Sequence, residues 1–293
     1  RHRSAATIER LEPTVDTSMV RGGIEYSDYL LVDNDARFVS EMALQSTRHG
    51  AVIANRVEVL AASHATEGWR IALRDLIGDR DLEVTATMVV NAGGPYVPDV
   101  GRLTGTTTQH RLVFSKGIHL VVPRITDSGR ILAFFDDHER LFYVLPMGER
   151  SVIGTTDTPV EDPAVSVTEE DKAFLLEQIN TRVDLSRPLC SDDVIGERCG
   201  VRTLVVEPGG SSEGRDWTEL SRKHAVEVHR GLGVVSILGG KLSDCLNVGE
   251  EVVEAAASCG LRPMTPPTRW YGEPGWTARR RFTVRSSDLG MEP

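Results

Sequence analysis

Four basic side chains stand beside glycine turns or strand ends, where they could hold an anion. They are His119 in GIHLVV, Arg202 in CGVRTL, Arg222 in LSRKH and Lys241 in LGGKL. Two arginines and a lysine that converge would suit a small dianionic phosphate, because arginine offers a bidentate fork and lysine a point charge. Taken singly, Arg222 is more typical of a surface salt bridge, and this alternative has less weight for Arg202, which lies in an apolar stretch.

Lys241 follows an apolar run that breaks at Gly239-Gly240 and restarts as a helical pattern. A strand, turn and helix in this order place free backbone N–H groups and a positive dipole end at one spot, which suits phosphates and other anions. A P-loop is excluded, because its first glycine and its Ser or Thr are replaced here by Val235 and Leu242. A tight turn that carries a solvated lysine stays open as the alternative.

His119 and a threonine pair are the candidates for proton transfer and substrate orientation. His119 has apolar neighbours on both sides, as a core histidine does, but histidine also titrates near neutral pH and is the best single candidate for a general base. Thr155 and Thr156 stand at the end of a predicted strand. Their hydroxyls could orient a substrate or cofactor ring, or form a local Ser/Thr turn.

The composition limits the function classes. The 293 residues carry a net charge of -10, which argues against a nucleic-acid partner, so any positive site must be local. The four cysteines form no CxxC pair, no histidine stands at zinc spacing, and there is no HExxH, so we predict no metal site and a reduced, cytoplasmic compartment. No apolar run approaches a membrane-spanning length, which leaves peripheral membrane contact open.

The outer parts of the chain have an α/β pattern. Residues 33–50 predict a helix, residues 51–63 and 68–75 predict paired strands, and LEVTATMVV predicts a buried strand that runs into the turn NAGGP, residues 91–95. Glycines in that turn allow a close backbone approach to a ligand. Residues 219–229 and 234–238 return as predicted strands.

Residues 110 to 205 have a different pattern of short alternating runs, which predicts an antiparallel sheet. One helix, TEEDKAFLLEQINTRV, interrupts it and opens with Thr168 as a cap. The sequence thus predicts a nucleotide-type domain that a substrate domain interrupts. The predicted limits are 1–109 and 219–261 for the first domain, 110–218 for the second and 262–293 for a loosely packed tail.

Seven stretches in order resemble the FAD-dependent glycerol-3-phosphate dehydrogenases, members of the D-amino-acid-oxidase-like flavoprotein superfamily. They are GIEYSDYLLVDNDARF, VVNAGGPYVPDV, SKGIHLVVPR, FYVLPMGERSVIGTTDTPVEDP, CGVRTL, SRKHAVEV and SILGGKLSDCLNVGEEV, within residues 7 to 260. The resemblance implies an α/β (α+β) fold with an FAD/NAD(P)-binding-type domain and an antiparallel substrate domain. The family's GxGxxG unit is absent from the chain, which we expect to begin after it.

The resemblance also implies roles for individual residues. Arg202 and Arg222 match phosphate-binding residues, Lys241 a residue near substrate and flavin, and His119 the general base. The expected substrate contacts further include Thr155 and Thr156. The expected FAD contacts are Val57 at the adenine, and Ala92, Gly93, Gly94, Gly239, Gly240, Lys241 and Leu242 along the flavin.

The implied reaction moves a hydride from C2 of sn-glycerol 3-phosphate to FAD, gives dihydroxyacetone phosphate and passes electrons to a quinone. A peripheral position on the inner face of the cytoplasmic membrane and a homodimer are further expectations. Three alternatives remain at this point: an oxidase that forms H2O2, a flavoenzyme for another 2-hydroxy acid or amine, and a non-catalytic binding domain without flavin. Ser243-Asp244-Cys245 departs from the threonines of many relatives and weakens the subtype assignment.

Overall fold

The chain forms several small sheets and helices. The computed structural model describes residues 1–18, 20–28, 31, 35–136, 140–209, 223–261, 276–277, 280 and 284. Within them the strands are β1 (His2–Ser4), β2 (Gly22–Ile24), β3 (Val57–Ala65), β4 (Gly68–Asp75), β5 (Arg80–Ala86), β6 (Val89–Asn91), β7 (Arg111–Pro123), β8 (Leu132–Phe135), β9 (Leu141–Met147), β10 (Arg150–Gly154), β11 (Thr158–Val160), β12 (Gly196–Val206), β13 (Ala225–His229) and β14 (Val234–Leu238). The helices are α1 (Ala5–Leu11), α2 (Asp35–Arg48), α3 (Val97–Thr104), α4 (Glu169–Asn180) and α5 (Cys245–Ser258).

The largest sheet is antiparallel and confirms the prediction for residues 110–205. Its strands follow the order β11-β7-β10-β9-β8. The sixth strand, β12, also pairs with β7. Side chains alternate between the faces of a strand, so one face of β7 carries Ile118, Leu120 and Val122, all buried. This face packs on α4 in the main hydrophobic core, whose buried members also include Ile125, Phe142, Val144, Ile153, Leu175, Leu176, Ile179 and Val183.

Helix α4 begins where the sequence predicts, at a complete capping box. The Thr168 hydroxyl accepts the Asp171 N–H at 3.2 Å, and the Asp171 carboxylate accepts the Thr168 N–H at 2.9 Å. Asp171 also accepts a hydrogen bond from Lys116 Nζ at 2.6 Å, and both side chains are almost fully buried. Burial alone would raise the pKa of Asp171, but Lys116 and the Thr168 N–H outweigh it and hold that pKa below its usual range.

A smaller sheet combines one strand that precedes the large sheet in the sequence with two strands that follow it. Its order is β13-β14-β6, with β13 antiparallel and β6 parallel to β14. Asn91 at the end of β6 pairs in register with Ser236. Because β6 and β14 run in the same direction, the turns that follow them lie at one edge of this sheet.

Two local predictions for residues 51–91 are wrong, and one helix was not predicted. The first strand begins at Val57 rather than at residue 51. The predicted strand LEVTATMVV is two strands: β5 pairs with β4, and β6 pairs with β14 after the Val89 N–H bonds to the Gly233 carbonyl at 2.9 Å. The sequence reasoning did not predict helix α3, which has Pro98 in its first turn, a position that proline suits.

The chain divides into two compact units. The first comprises residues Arg1–Asp28 and Glu58–Gly260, and the second Tyr29–Val57 and Leu261–Pro293. The second contains α2, which confirms the helix predicted at 33–50. The predicted tail at 262–293 lies almost wholly outside the described residues, and the predicted domain limits stay predictions.

In the first unit, the N-terminal segment is attached to the large sheet by a buried carboxylate. Glu12 accepts hydrogen bonds from Thr126 Oγ1 at 2.8 Å and from Arg130 Nη1 at 3.0 Å. Within the described ranges, no helix is both long and apolar enough to cross a membrane.

Asp171→Ala should be strongly destabilising. It removes the capping box and leaves the Lys116 ammonium buried without its partner, which typically costs about 3–5 kcal/mol of unfolding free energy. Urea denaturation followed by intrinsic fluorescence measures the loss. Glu83→Ala is the matched control, since it breaks the exposed Arg70–Glu83 pair and should cost less than about 1 kcal/mol. Equal losses in the two variants would contradict the prediction.

Candidate functional site

The face of the large sheet that points away from the core is lined by glycines and cations. Residues directly opposite each other on antiparallel strands share a face. Ser115, Gly117 and His119 of β7 lie opposite Arg202, Gly200 and Arg198 of β12, and Gly154 of β10 lies opposite His119 from the other side. We call this surface, defined by those seven residues, the glycine face.

Arg202 lies over this face in a defined orientation. Its Nη2 donates to Thr155 Oγ1 at 2.7 Å and its Nη1 donates to the Thr156 carbonyl at 3.1 Å. A Cβ atom on Gly117 would come within 2.8 Å of both Arg202 Nη2 and Thr155 Oγ1. Gly117 therefore provides the space in which the guanidinium meets Thr155.

A carboxylate and two hydroxyls support this arrangement. Ser115 Oγ donates to Asp157 Oδ1, which lies 3.6 Å from Arg202 Nη1. Thr156 is buried, and its Oγ1 accepts the Ile118 N–H at 3.1 Å. That bond gives the Thr156 hydroxyl a partner within the protein. About a third of the Arg202 side chain is exposed. The guanidinium is thus oriented by the protein and still accessible to an oxyanion.

His119 lies on the same face, two residues along β7 from Gly117. The strand rise puts such same-face neighbours about 7 Å apart. A Cβ atom on Gly154 would come within 2.8 Å of His119 Cδ2, so the small residue leaves room for the ring. The imidazole is partly exposed. A short ligand held by Arg202 could therefore reach a base at His119.

The predicted flavin-contacting turns lie at the carboxyl ends of the parallel strands β6 and β14. After β6, Asn91 Nδ2 donates to the Val97 carbonyl at 2.9 Å and Asn91 Oδ1 accepts the Gly93 N–H at 3.3 Å. Gly94 has a φ of +56°, a conformation that glycine adopts without strain. The buried Asn91 side chain thus fixes the turn that holds Ala92, Gly93 and Gly94.

The turn after β14 lies against the strand that carries Arg202. Gly239 and Gly240 have φ values of +63° and +94°. A Cβ atom on Gly239 would come within 2.5 Å of Val205 Cγ2 and 3.4 Å of the Thr203 carbonyl oxygen. Lys241 and Leu242 follow as exposed residues and lead through a 3-10 turn, Leu242–Asp244, into α5. The structure therefore brings the Lys241 turn against Val205, three residues along β12 from Arg202 and on the other face of that strand.

An apolar cavity of about 170 Å³ adjoins the first of these turns. Ala92 and Gly93 line it together with residues from β3, β4, β6 and α3. Those residues are Val59, Ala62, Ile71, Val89, Val90, Asn91, Val100, Leu103 and Thr104. Small and aliphatic linings of this kind suit a flat apolar group.

The predicted roles of two further residues stay predictions. Val57 is the first residue of β3 and belongs to the second compact unit, so its contact to adenine stays a prediction. Arg222 lies outside the described residues. Sequence reasoning missed Gly117, Ser115 and Asn91, although the alternation in SKGIH places Ser115, Gly117 and His119 on one face.

The family described as FAD dependent oxidoreductase (DAO) matches residues 1–244 of the chain. Glycerol-3-phosphate dehydrogenase 2 of Mycobacterium bovis is 31% identical over 263 residues, which cover 87% of this chain and 43% of the relative. Glycerol-3-phosphate dehydrogenase of Mycobacterium leprae is 30% identical over 265 residues, with 88% and 43% covered. The chain thus spans about two fifths of the length of these curated relatives.

One solved structure covers nearly the whole chain. It is the X-ray structure of glycerol-3-phosphate dehydrogenase from Bacillus halodurans complexed with FAD. The match has a TM-score of 0.78 and 25% sequence identity, and it covers 99% of this chain and 57% of that one. The predicted fold class is confirmed by this likeness and by the family match.

Gly117→Ala should displace the Arg202 guanidinium, because the new methyl group would collide with it and with Thr155. A lost charged hydrogen bond is worth about 1.5–3 kcal/mol, so the affinity for inorganic phosphate should fall about tenfold or more. Isothermal titration calorimetry measures the affinity. Gly200→Ala is the matched control, since Gly200 faces Gly117 across the strands and has no atom within 4 Å of its Cβ position. Equal affinity in both variants would contradict the prediction.

Proposed function

The chain belongs to the FAD dependent oxidoreductase (DAO) family, and from this premise we propose that it forms part of a flavoenzyme that oxidises sn-glycerol 3-phosphate to dihydroxyacetone phosphate. One observation carries the proposal. The Arg202 guanidinium lies over Gly117, and His119 lies two residues further along the same face of β7. A three-carbon phosphate ester is short enough to bind an arginine at one end and a base at its middle carbon.

The phosphate end of the substrate would bind at Arg202. Arg202 is oriented by the Thr155 hydroxyl and the Thr156 carbonyl, and about a third of its side chain is exposed, which supports a role as a ligand of the phosphate. Lys241 adds a second positive charge from the adjacent turn, and Arg222 is the third member of the proposed set. In a chain with a net charge of -10, these cations form a local exception that selects an anionic substrate.

His119 would act as the general base. A neutral imidazole can accept the proton of the C2 hydroxyl while a hydride leaves C2, so that the carbinol carbon becomes a carbonyl carbon. The imidazole then holds that proton as imidazolium. Arg202 contributes by fixing the phosphate, which holds C2 in one position relative to the base and to the hydride acceptor.

The chain's own residues fit an FAD on two observations. The Gly239 backbone lies so close to β12 that a Cβ atom would collide with Val205, and an apolar cavity adjoins Ala92 and Gly93. We propose that Ala92, Gly93, Gly94 and the segment Gly239 to Leu242 hold the flavin, with Val57 at the adenine. When bound, FAD supplies the hydride-accepting chemistry and can pass electrons on singly or in pairs.

The proposal also names an electron acceptor, a cellular location and an assembly. We propose a quinone as the acceptor, in a cytoplasmic protein in peripheral contact with the inner face of the membrane, and a homodimer as its assembly. Reduction of O2 to H2O2 is the alternative for the acceptor, and another 2-hydroxy acid or amine is the alternative for the substrate. The cation set favours glycerol 3-phosphate, since a carboxylate carries one negative charge where a phosphate carries nearly two.

Anaerobic addition of sn-glycerol 3-phosphate to the FAD-loaded protein should bleach the oxidised flavin absorbance. Stopped-flow spectroscopy measures the change, because a hydride transferred to FAD removes the visible band of the oxidised cofactor. Glycerol without phosphate is the control and should bleach it far more slowly. A protein that stays yellow with glycerol 3-phosphate but bleaches with a 2-hydroxy acid would overturn the substrate assignment.

His119→Ala should lower kcat about 10²- to 10⁴-fold and change KM much less, because proton transfer belongs to the chemical step. Steady-state kinetics with an artificial electron acceptor separate the two parameters. His49→Ala, which removes an exposed histidine beyond the end of α2, should leave both as they are. Unchanged turnover in His119→Ala would place the base elsewhere.

A further inference from the structure

His224 stands between two carboxylates immediately before β13. Its Nδ1 lies 2.6 Å from Asp244 Oδ2, its Nε2 lies 3.0 Å from Glu251 Oε1, and only a tenth of its side chain is exposed. A neutral imidazole has one N–H, so it can donate to only one carboxylate. The two short contacts are therefore satisfied together by the imidazolium, which donates from both ring nitrogens.

These contacts join three elements around the Lys241 turn. Asp244 ends the 3-10 turn that Lys241 caps, and Glu251 lies in α5. A Cβ atom on Gly240 would come within 3.1 Å of His224 Cβ, so the turn backbone lies directly against the histidine. Gly239 and Gly240 have no side chains of their own to hold the turn. Val205 contacts it from the β12 side, and His224 contacts it from the β13 side.

We infer that His224 is a positioning residue, which as an imidazolium fixes the Gly239–Lys241 turn and so sets where Lys241 meets the flavin and substrate. The role of Lys241 in this inference rests on the proposed function. The geometry of the turn does not depend on it. The Lys241 ammonium makes no hydrogen bond or salt bridge with the other described side chains, whereas the Lys241 carbonyl accepts the Asp244 N–H at 2.9 Å, so the backbone of the turn sets where the side chain starts.

The charges around His224 set the pH range of this link. Burial alone would lower the pKa of His224, but Asp244 and Glu251 outweigh it and raise that pKa above its ordinary value. Lys241 faces Asp244 from the turn and, after Asn247 and His224, helps to lower the pKa of Asp244. A raised histidine pKa means that the link is complete at low pH and is lost as pH rises through that pKa, above about 6.5.

The test compares His224→Gln with a matched control in the FAD-loaded protein. His110 has the same chemistry in a different place: its Nδ1 lies 2.7 Å from Glu227, its Nε2 lies 3.2 Å from Glu207, and the two carboxylates raise its pKa although burial lowers it. It precedes β7, and its side-chain partners among the described residues are Glu227 and Glu207 rather than residues of the Lys241 turn. His110→Gln therefore controls for the loss of a buried imidazolium as such.

Hydrogen exchange of the amides at residues 239–244 and the FAD dissociation constant are the two readouts. In His224→Gln we expect about tenfold faster exchange and about tenfold weaker FAD binding at pH 6, since one charged hydrogen bond is lost. In the wild-type protein, exchange corrected for its intrinsic pH dependence should accelerate as the pH rises above the ordinary histidine pKa of about 6.5. His224→Gln should lack this step, and His110→Gln should keep it.

The outcomes decide the inference independently of the substrate. If either exchange or FAD affinity in His224→Gln equals that of the wild type, the inference is overturned, whether or not glycerol 3-phosphate is oxidised. If both change as expected but glycerol 3-phosphate does not reduce the flavin of the wild type, the positioning role stands and the proposed substrate falls. Loss of the folded circular dichroism spectrum in His224→Gln would assign the residue to folding and overturn the inference too.

Discussion

The site depends on the antiparallel pairing of β7 with β12. This ladder runs over all 11 residues of β12, and its register puts Arg202 opposite Ser115, Gly200 opposite Gly117 and Arg198 opposite His119. Because side chains alternate between faces, a slip by one residue would turn Arg202 into the core face of β12. Such a slip would be costly, because it would turn the Arg202 charge toward the core and the buried Val205 side chain away from it. Core packing and site geometry are therefore set by the same register.

A second constraint is the parallel pairing of β6 with β14. These strands are separated in sequence by the whole antiparallel sheet, yet their carboxyl ends lie at one edge, where Ala92 and Gly93 follow β6 and Gly239 and Gly240 follow β14. The glycines have different roles at this edge. Gly94, Gly239 and Gly240 adopt positive φ values that other residues resist, and Gly239 also lets the backbone approach Val205 on β12. The two turns thus bring backbone N–H groups and Lys241 toward the segment of β12 that carries Arg202.

Two cations of neighbouring strands, Lys116 and Arg202, differ in how far their side chains are exposed. Lys116 is buried and has a short ion pair with Asp171, which satisfies its charge inside the protein. Arg202 is partly exposed, and its close contacts are with the Thr155 hydroxyl and the Thr156 carbonyl, while Asp157 lies farther away at 3.6 Å. The exposed part of the Arg202 side chain is accessible to a ligand anion, whereas the buried Lys116 ammonium is not. This difference separates the structural cation from the candidate binding cation on neighbouring strands.

The sequence by itself determined the element types and the residues able to do chemistry. Alternation in RLVFSKGIHLVVPR and VIGERCGVRTLVV predicts β7 and β12 to within about two residues, and Thr168 marks the start of α4, because these signals are local. It did not reveal that LEVTATMVV divides between two sheets, nor that Gly117 makes room for Arg202, nor that His224 holds the Lys241 turn. Those features depend on which strands pair and in which register. Only the tertiary structure decided them, because the partners are far apart in sequence and a strand's own residues do not encode its neighbour.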